Sequence, residues 1–244
     1  MRAIFISLLL LLLVVNKAET RPIIADLSER NIDINANFTG KQIHLYGARV
    51  EAGDIVIVVR GPDNNYTVRK KEKIGPVWLN TQAVEFKDVP QFYMVASSKK
   101  IEDIAVKPFF EHLGIGLDNI SMQARNIKDV DEIEQFKQAM LIHLNRDDLY
   151  GEGPEKLPVI EKILYKILLK FPEKIAKGRY VAEVYFFRDG HLASAQFIPI
   201  EVKKVGFEAF VYGLAHDYPG LYGILAIFLA IGAGWFASTV FRKV

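Results

Sequence analysis

The hydrophobic positions of this 244-residue chain form two apolar ends around a middle of mixed character. Residues 4–15 are almost all apolar, follow Met1 and Arg2 and precede Asn16, Lys17 and Ala18, an order typical of a secretory signal peptide. As a helix this run would measure about 18 Å, too short for a hydrocarbon core of about 30 Å. We predict a signal peptide over residues 1–18; the alternative is an uncleaved anchor, and both export the residues that follow.

The opposite end, residues 218–241, has no charged side chain and predicts a transmembrane helix. A helix of about 36 Å can cross a bilayer with some tilt, and residues 242–244 would form a short cytoplasmic tail. Small residues recur at every fourth position of this span and predict a docking face for another membrane helix: Ala226, Ala230, Gly234 and Ser238. The alternative is that they only reflect how common small residues are in such spans.

Between the ends, residues 19–202 begin with the period-two alternation of β-strands. Residues 32–38 alternate, and the continuous apolar run 55–59 predicts a central strand. Residues 63–65 predict a turn into a strand at 66–71. Further short strands are expected at 77–80, 83–86 and 92–97.

A helical insertion is expected at about residues 103–158, because residues 129–144 place apolar side chains at near-helical spacing behind acidic residues. Residues 163–171 then alternate as in a strand, although a helix is also permitted. Asp189-Gly190 predicts a hairpin between strands 180–187 and 192–202. The order Pro172, Ile175, Gly178, Tyr180 is similar to the last strands of immunoglobulin-like sandwiches. We therefore predict a mainly β fold, an immunoglobulin-like sandwich with a helical insertion; two small domains are the alternative.

The segment 203–217 links this domain to the predicted membrane span. Phe207, Phe210, Val211 and Leu214 follow the i, i+3, i+4, i+7 spacing of an amphipathic helix. Such a helix could lie on the membrane surface or pack against the exported domain.

Composition separates the domain from the two ends. Four of the 31 Lys and Arg residues lie in the ends, so residues 19–217 carry 27 basic and 29 acidic side chains, a net charge of −2. A near-neutral domain lacks the basic surface typical of nucleic-acid binding, and we expect no nucleic-acid partner. The absence of cysteine excludes disulfides, Cys-ligated metals and thiol nucleophiles.

No catalytic or metal-binding motif stands out. The five histidines form no pair at metal-ligand spacing, and we expect no metal and no cofactor. Glycine loops for phosphate, dinucleotide fingerprints and nucleophile elbows are absent. Pairs of Asp and Glu stay open as acid and base, because the sequence fixes no distance between them.

One basic cluster stands above this background. Arg69, Lys70, Lys71 and Lys73 lie on and just after the strand predicted at 66–71, with Arg60 expected on its hairpin partner. The functional hypothesis is a site for an anion, an acidic partner or lipid headgroups. The alternative is an edge strand whose lysines prevent self-pairing.

Several local motifs together resemble a known family. They are Val58 to Pro62, Val68 to Lys71, Trp78 with Asn80, Pro90 to Tyr93, Ala96 to Ser98, Phe187 to Gly190, Lys204 to Glu208, Tyr222-Gly223, Gly234-Trp235 and Phe241-Arg242. The chain is similar in these to the putative transmembrane protein family of alphaproteobacteria. The resemblance implies a bacterial inner-membrane protein with a periplasmic domain and no established activity. It also implies an accessory subunit, since members are often encoded beside sulfite-exporter-type permeases.

The preferred hypothesis is a non-enzymatic, membrane-anchored periplasmic binding or accessory module. Its expected partners are the lipid bilayer and an integral membrane protein, with a sulfite-exporter-type permease for small anions as the candidate implied by the resemblance. The competing hypotheses are an envelope enzyme with paired carboxylates, in a cleft between sandwich and insertion, and a purely structural envelope protein.

Overall fold

The computed structural model describes residues 22–127 and 129–241, so the predicted signal peptide and cytoplasmic tail lie outside the described residues. Its strands are β1 (Ile23–Leu27), β2 (Asn31–Ile34), β3 (Lys41–Arg49), β4 (Asp54–Arg60), β5 (Asp63–Ile74), β6 (Val77–Pro90), β7 (Tyr93–Ser97), β8 (Gln123–Arg125), β9 (Glu155–Lys156), β10 (Val159–Ile160), β11 (Leu164–Phe171), β12 (Gly178–Arg188) and β13 (His191–Lys204). Its α-helices are α1 (Lys107–Leu113), α2 (Val130–Arg146), α3 (Phe207–Asp217) and α4 (Pro219–Phe241). The predicted mainly β fold with one C-terminal apolar helix is confirmed.

Two sheets enclose the core. One has the strand order β1-β3-β11-β10 and the other the order β2-β13-β12-β4-β7-β9. Phe171 of β11 meets Tyr180 of β12 edge to face, with ring centroids 5.9 Å apart, so side chains of the two sheets pack together. The Tyr180 hydroxyl donates to the Ala176 carbonyl at 2.9 Å, as a tyrosine corner would. The immunoglobulin-like assignment itself stays a prediction.

The segment between β7 and β10 covers the outer face of the larger sheet. Phe110 of α1 packs on Phe187 of β12, with ring centroids 5.7 Å apart. Residues 55–59 of β4 are therefore buried throughout, since one side faces the core and the other lies under this insertion. This explains why the sequence of β4 is continuously apolar rather than alternating.

Helix α2 confirms the helix predicted at residues 129–144. The Asp129 carboxylate accepts hydrogen bonds from the backbone N–H groups of Asp131, at 2.9 Å, and Glu132, at 3.2 Å, and so caps the helix. Its buried side chains recur at helical spacing: Phe136, Met140, Leu141 and Leu144. They join the same hydrophobic cluster as the sandwich.

The strand expected over residues 32–38 is wrong beyond Ile34. The Asn35 side chain accepts a hydrogen bond from the Asn37 backbone N–H at 2.9 Å, and the Phe38 N–H donates to the Asn35 carbonyl at 3.1 Å. Asparagine side chains bond their own backbone in this way at turns. The chain therefore turns where the apolar alternation predicts continued strand.

The β12–β13 hairpin is confirmed, and it determines where the membrane helix leaves the domain. Asp189 and Gly190 take φ values of 49° and 79°, as a two-residue turn requires. β13 continues to Lys204, two residues past the expected domain limit, and leads through α3 into α4. Of the described helices, α4 alone is long and apolar enough to cross a membrane, and none of its spanning part is buried.

Three strand ends meet at the end of the sandwich that precedes the membrane helix. Gly178 at the start of β12 pairs with Val202 near the end of β13, and Arg60 at the end of β4 pairs with Val181. We call this the anchor end. A segment that leaves the sandwich at the anchor end therefore starts on the same side of the domain as α3 and α4.

Candidate functional site

A long β-hairpin leaves the sandwich at the anchor end. The pairing of Arg60 with Tyr93 passes into that of Asp63 with Pro90 through hydrogen bonds of 2.8 and 2.9 Å from the Gly61 and Gln91 N–H groups. β5 and β6 thus continue the β4–β7 ladder beyond the sheet. The turn predicted at residues 63–65 is wrong, and the strands expected at 77–80 and 83–86 form one strand. β5 has 12 residues and so measures about 40 Å; we call β5–β6 the basic hairpin.

The structure places four of the predicted site residues together on the basic hairpin. Arg69, Lys70, Lys71 and Lys73 all lie on β5 and are exposed. Lys70 pairs with Glu72 at 2.9 Å, and the pKa of Lys70 is raised chiefly by this hydrogen bond and further by the negative charges of Glu72 and Glu132. Three of the four cations have no carboxylate within 4 Å among the described residues. They are available to an acidic partner.

β5 is also an edge strand, since the third sheet has the order β5-β6-β8. Lysines on an exposed edge discourage pairing with another chain. The geometry that the alternative hypothesis requires is therefore present as well. Edge protection and partner binding are compatible, because the same positive side chains can discourage pairing with another strand and attract an acidic surface.

The tip of the basic hairpin is apolar, a feature that the sequence reasoning missed. Gly75, at φ 63°, turns the chain between exposed hydrophobic side chains: Ile74, Val77, Trp78 and Leu79, the last two 66% and 48% exposed. The Gly75-Pro76 dipeptide flanked by apolar residues was the available signal. Exposed apolar residues gathered in this way mark interaction sites.

Arg60 does not belong to the basic cluster, so its expected place on the hairpin partner is wrong. β4 pairs with β7 and β12, whereas β5 pairs with β6. The Arg60 guanidinium donates to the carbonyls of Leu113 and Gly114 at 2.8 and 3.0 Å and lies 3.6 Å from the Glu183 carboxylate. Arg60 therefore fastens the insertion to the sandwich.

The four small residues predicted as a docking face lie along α4. Ala226, Ala230, Gly234 and Ser238 are all exposed, so the described part of the chain leaves this helix face uncovered. A family model described as "Putative transmembrane protein (Alph_Pro_TM)" matches residues 22–243. The chain belongs to this family. No curated protein matches the chain.

In this family member, the cleft expected for an enzyme lies between the sandwich and the insertion and measures about 720 Å³. Its acidic side chains, Asp148, Glu152 and Glu155, are all exposed. A carboxyl group whose pKa is raised enough to act as a general acid near neutral pH lies in a hydrophobic pocket. Among the described residues, no three His, Asp or Glu side chains are placed to hold a metal. The cleft does not favour the enzyme hypothesis over binding.

Proposed function

We propose that this single-pass membrane protein is an accessory module that docks on an integral membrane partner. Its β domain would lie in the periplasm of a bacterial cell and its C-terminus in the cytoplasm. A sulfite-exporter-type permease for small anions is the partner suggested by the family resemblance. The observation that carries the proposal is the basic hairpin, which leaves the anchor end with exposed cations along β5 and exposed apolar side chains at its tip.

The chemistry of the basic hairpin suits a protein surface beside the membrane. Protein interfaces combine a few buried aromatic or aliphatic anchors with a polar rim. Trp78 and Leu79 supply exposed anchors, and Arg69 and Lys71 supply rim charges for an acidic loop. The periplasmic surface of a multi-span protein would complement both features where an acidic loop lies beside an apolar pocket.

Because α4 tethers the domain to the membrane, a weak contact made by the basic hairpin is enough to hold the complex together. α4 has 23 residues, about 34 Å of helix, and would hold the domain beside any partner in the same bilayer. Tethering converts the second contact into an intramolecular one with an effective concentration in the millimolar range. The exposed small-residue face of α4 supports a second contact within the bilayer, where close backbone approach favours association.

The hairpin contact predicts a defect that depends on charge position. Replacing Arg69, Lys70 and Lys71 with Gln should lower crosslinking to the membrane partner about fivefold, because Arg69 and Lys71 contribute about 0.5 kcal/mol each and Lys70, already paired with Glu72, contributes less. The measurement is crosslinking in native membranes followed by mass spectrometry. The control is the Lys156→Gln/Lys162→Gln/Lys166→Gln variant, which removes three exposed positive charges from another part of the domain. Equal crosslinking by both variants and the parent protein would remove the hairpin from the proposal.

The membrane contact predicts a defect that depends on helix face. Replacing Ala230 and Gly234 with Leu should abolish most co-purification with the partner from mild detergent, because the larger side chains hold the helices apart. Gly232→Leu is the control, since it lies about 200° around the helix from Ala230. A complex that survives the double substitution intact contradicts docking through this face. If the parent protein itself crosslinks to no membrane protein and co-purifies with none, the purely structural hypothesis is favoured.

A further inference from the structure

A second basic surface lies at the anchor end, in a groove that the proposed function does not use. The groove has a volume of about 1380 Å³ and runs between the end of β13, the turn after β2 and the helix α3. The Val205 N–H donates to the Ile34 carbonyl at 2.9 Å and holds the β2 end beside the start of α3. Pockets for small molecules measure roughly 300–1,000 Å³, so this groove suits a larger, partly exposed ligand.

Four basic side chains line the groove against one acidic side chain: Lys177, Arg179, Lys203 and Lys204 against Glu201. Lys203 is paired with Glu201 and also faces Asp33 across the β2–β13 pairing. Lys177, Arg179 and Lys204 have no carboxylate within 4 Å in the described part of the chain. The groove therefore keeps a net positive charge in spite of its one ion pair.

Arg179 is close enough to Glu201 for its charge to act on the Glu201 carboxylate. Arg179 stands opposite Glu201 in the β12–β13 ladder. The pKa of the Glu201 carboxyl is lowered first by the hydrogen bond and charge of Lys203 and then by the charge of Arg179. The single Glu201 carboxylate thus faces both Lys203 and Arg179 and cannot neutralise both. The cluster therefore retains positive charge that can attract an added anion.

The rest of the lining is apolar or aromatic. Ile34 and Val205 are half-buried in it, and Tyr212 reaches it from α3. The Lys177 ammonium lies over the Tyr212 ring, 5.8 Å from its centroid, a cation–π contact that ties the domain to the helix leading to the bilayer. A cationic cluster beside an apolar surface matches an amphiphile better than a free inorganic ion.

The position of the groove indicates the source of such an amphiphile. α3 has 11 residues, about 16 Å, and only Tyr218 separates it from α4. The groove therefore lies within about one helix length of the membrane surface. Basic residues near a membrane surface attract anionic lipids, each contributing roughly 1 kcal/mol, and the attraction falls off within about 10 Å. The groove lies within this distance when α3 lies along the membrane surface.

We propose that this groove binds the phosphate-bearing headgroup of an anionic phospholipid from the leaflet next to the β domain. Lys177, Arg179 and Lys204 bind the phosphate, and Tyr212 with Val205 contacts the glycerol region. Binding fixes the tilt of the domain on the membrane and so presents the basic hairpin in one direction. Lipid binding itself needs no protein partner and stands independently of the proposed function; only its effect on the direction of the hairpin rests on that function.

The test uses the purified full chain in a nonionic detergent and native mass spectrometry. The probes are dihexanoyl phosphatidylglycerol, dihexanoyl phosphatidylcholine and inorganic phosphate. We expect one phosphatidylglycerol molecule to be retained, and the Lys177→Gln/Arg179→Gln/Lys204→Gln variant to bind it roughly 100-fold more weakly. The Arg69→Gln/Lys70→Gln/Lys71→Gln variant removes the same three charges from the basic hairpin and should bind as the parent protein does.

Four results would overturn the inference. Equal retention of phosphatidylcholine means a detergent-like apolar site, and displacement by inorganic phosphate means a site for a free anion. Loss of binding in the hairpin variant assigns the lipid to β5 instead. Unchanged binding in the groove variant, with a circular dichroism melt like that of the parent protein, removes these three cations from the site. Because no partner protein is present, each result is separable from a failure of the docking proposal.

Discussion

Replacing Arg60 with Met is expected to lower the free energy of unfolding by about 3 kcal/mol, although Arg60 stands near the surface. The substitution removes the hydrogen bonds of Arg60 to the Leu113 and Gly114 carbonyls and leaves Glu183, whose side chain is only 13% exposed, without its cation. It also removes the contact of Arg60 with the Tyr93 ring, 5.7 Å from the centroid. Because the Arg60–Glu183 pair is 3.6 Å apart and partly solvated, the effect falls at the low end for buried pairs.

The matched control is Arg69→Met, the same substitution in a residue that the sequence places in the same cluster. Arg69 is exposed on an edge strand, so its loss should change stability by no more than about 0.5 kcal/mol. Urea denaturation measures the free energy of unfolding of the Arg60→Met and Arg69→Met variants against that of the parent protein. Adding Glu183→Gln to Arg60→Met should recover part of the loss, because the uncompensated charge disappears while Tyr185 can still donate to the amide oxygen. Equal effects of Arg60→Met and Arg69→Met would contradict the fastening role of Arg60.

Local chemistry made several elements predictable. Asp189-Gly190 specifies its turn because both residues tolerate positive φ, and the structure has φ of 49° and 79° there. Asp129 specifies the start of α2 because its carboxylate can reach the first backbone N–H groups. The uncharged run at the C-terminus specifies α4 by length and composition. In each case the signal and the structure lie within a few residues of one another.

Features that depend on distant pairing were not predictable. Asp63 and Asn64 have the composition of a turn, yet they form strand because the β4–β7 ladder continues through them to Pro90 and Val89. Arg60 precedes the basic strand in sequence, but its partners come from the insertion and from β12. The groove gathers residues from β2, β12, β13 and α3. No spacing along the chain reports such a convergence.

The largest pH effect is expected in alkali, where the β domain should unfold between about pH 10 and pH 12. Five buried tyrosine hydroxyls each donate a hydrogen bond to an oxygen that cannot donate one back: Tyr93 to Gly114, Tyr150 to Pro90, Tyr165 to Ile24, Tyr180 to Ala176 and Tyr185 to Glu183. A phenolate would lose this bond and carry a buried charge. Burial accordingly raises the pKa of Tyr93 and of Tyr180 to about 12 and that of Tyr150, Tyr165 and Tyr185 further.

Alkali lowers the stability of the fold because the unfolded chain loses these tyrosine protons at a lower pH than the folded protein does. The unfolded chain releases these protons near pH 10, the folded protein only above it, so the stabilisation is fully present below about pH 10 and is lost as the pH rises. Tyr93 and Tyr180 alone, each with a pKa raised to about 12, would cost about 5 kcal/mol together by pH 12. Typical domains have only about 5–15 kcal/mol of stability, so cooperative unfolding in this range is the expected result.

Tyrosinate absorbance and far-ultraviolet circular dichroism of the full chain in detergent measure the two halves of this prediction. Of the 10 tyrosines, the five buried ones should ionise only together with the loss of strand signal. The Tyr165→Phe/Tyr180→Phe variant should lose about 1 kcal/mol per hydroxyl at neutral pH, yet fall less steeply above pH 10, because two of the titrating groups are gone. Stability curves of parent and variant that stay parallel through this range would show that these two phenols do not drive the transition. A full phenolate signal with intact strands would show that burial does not hold the protons in place.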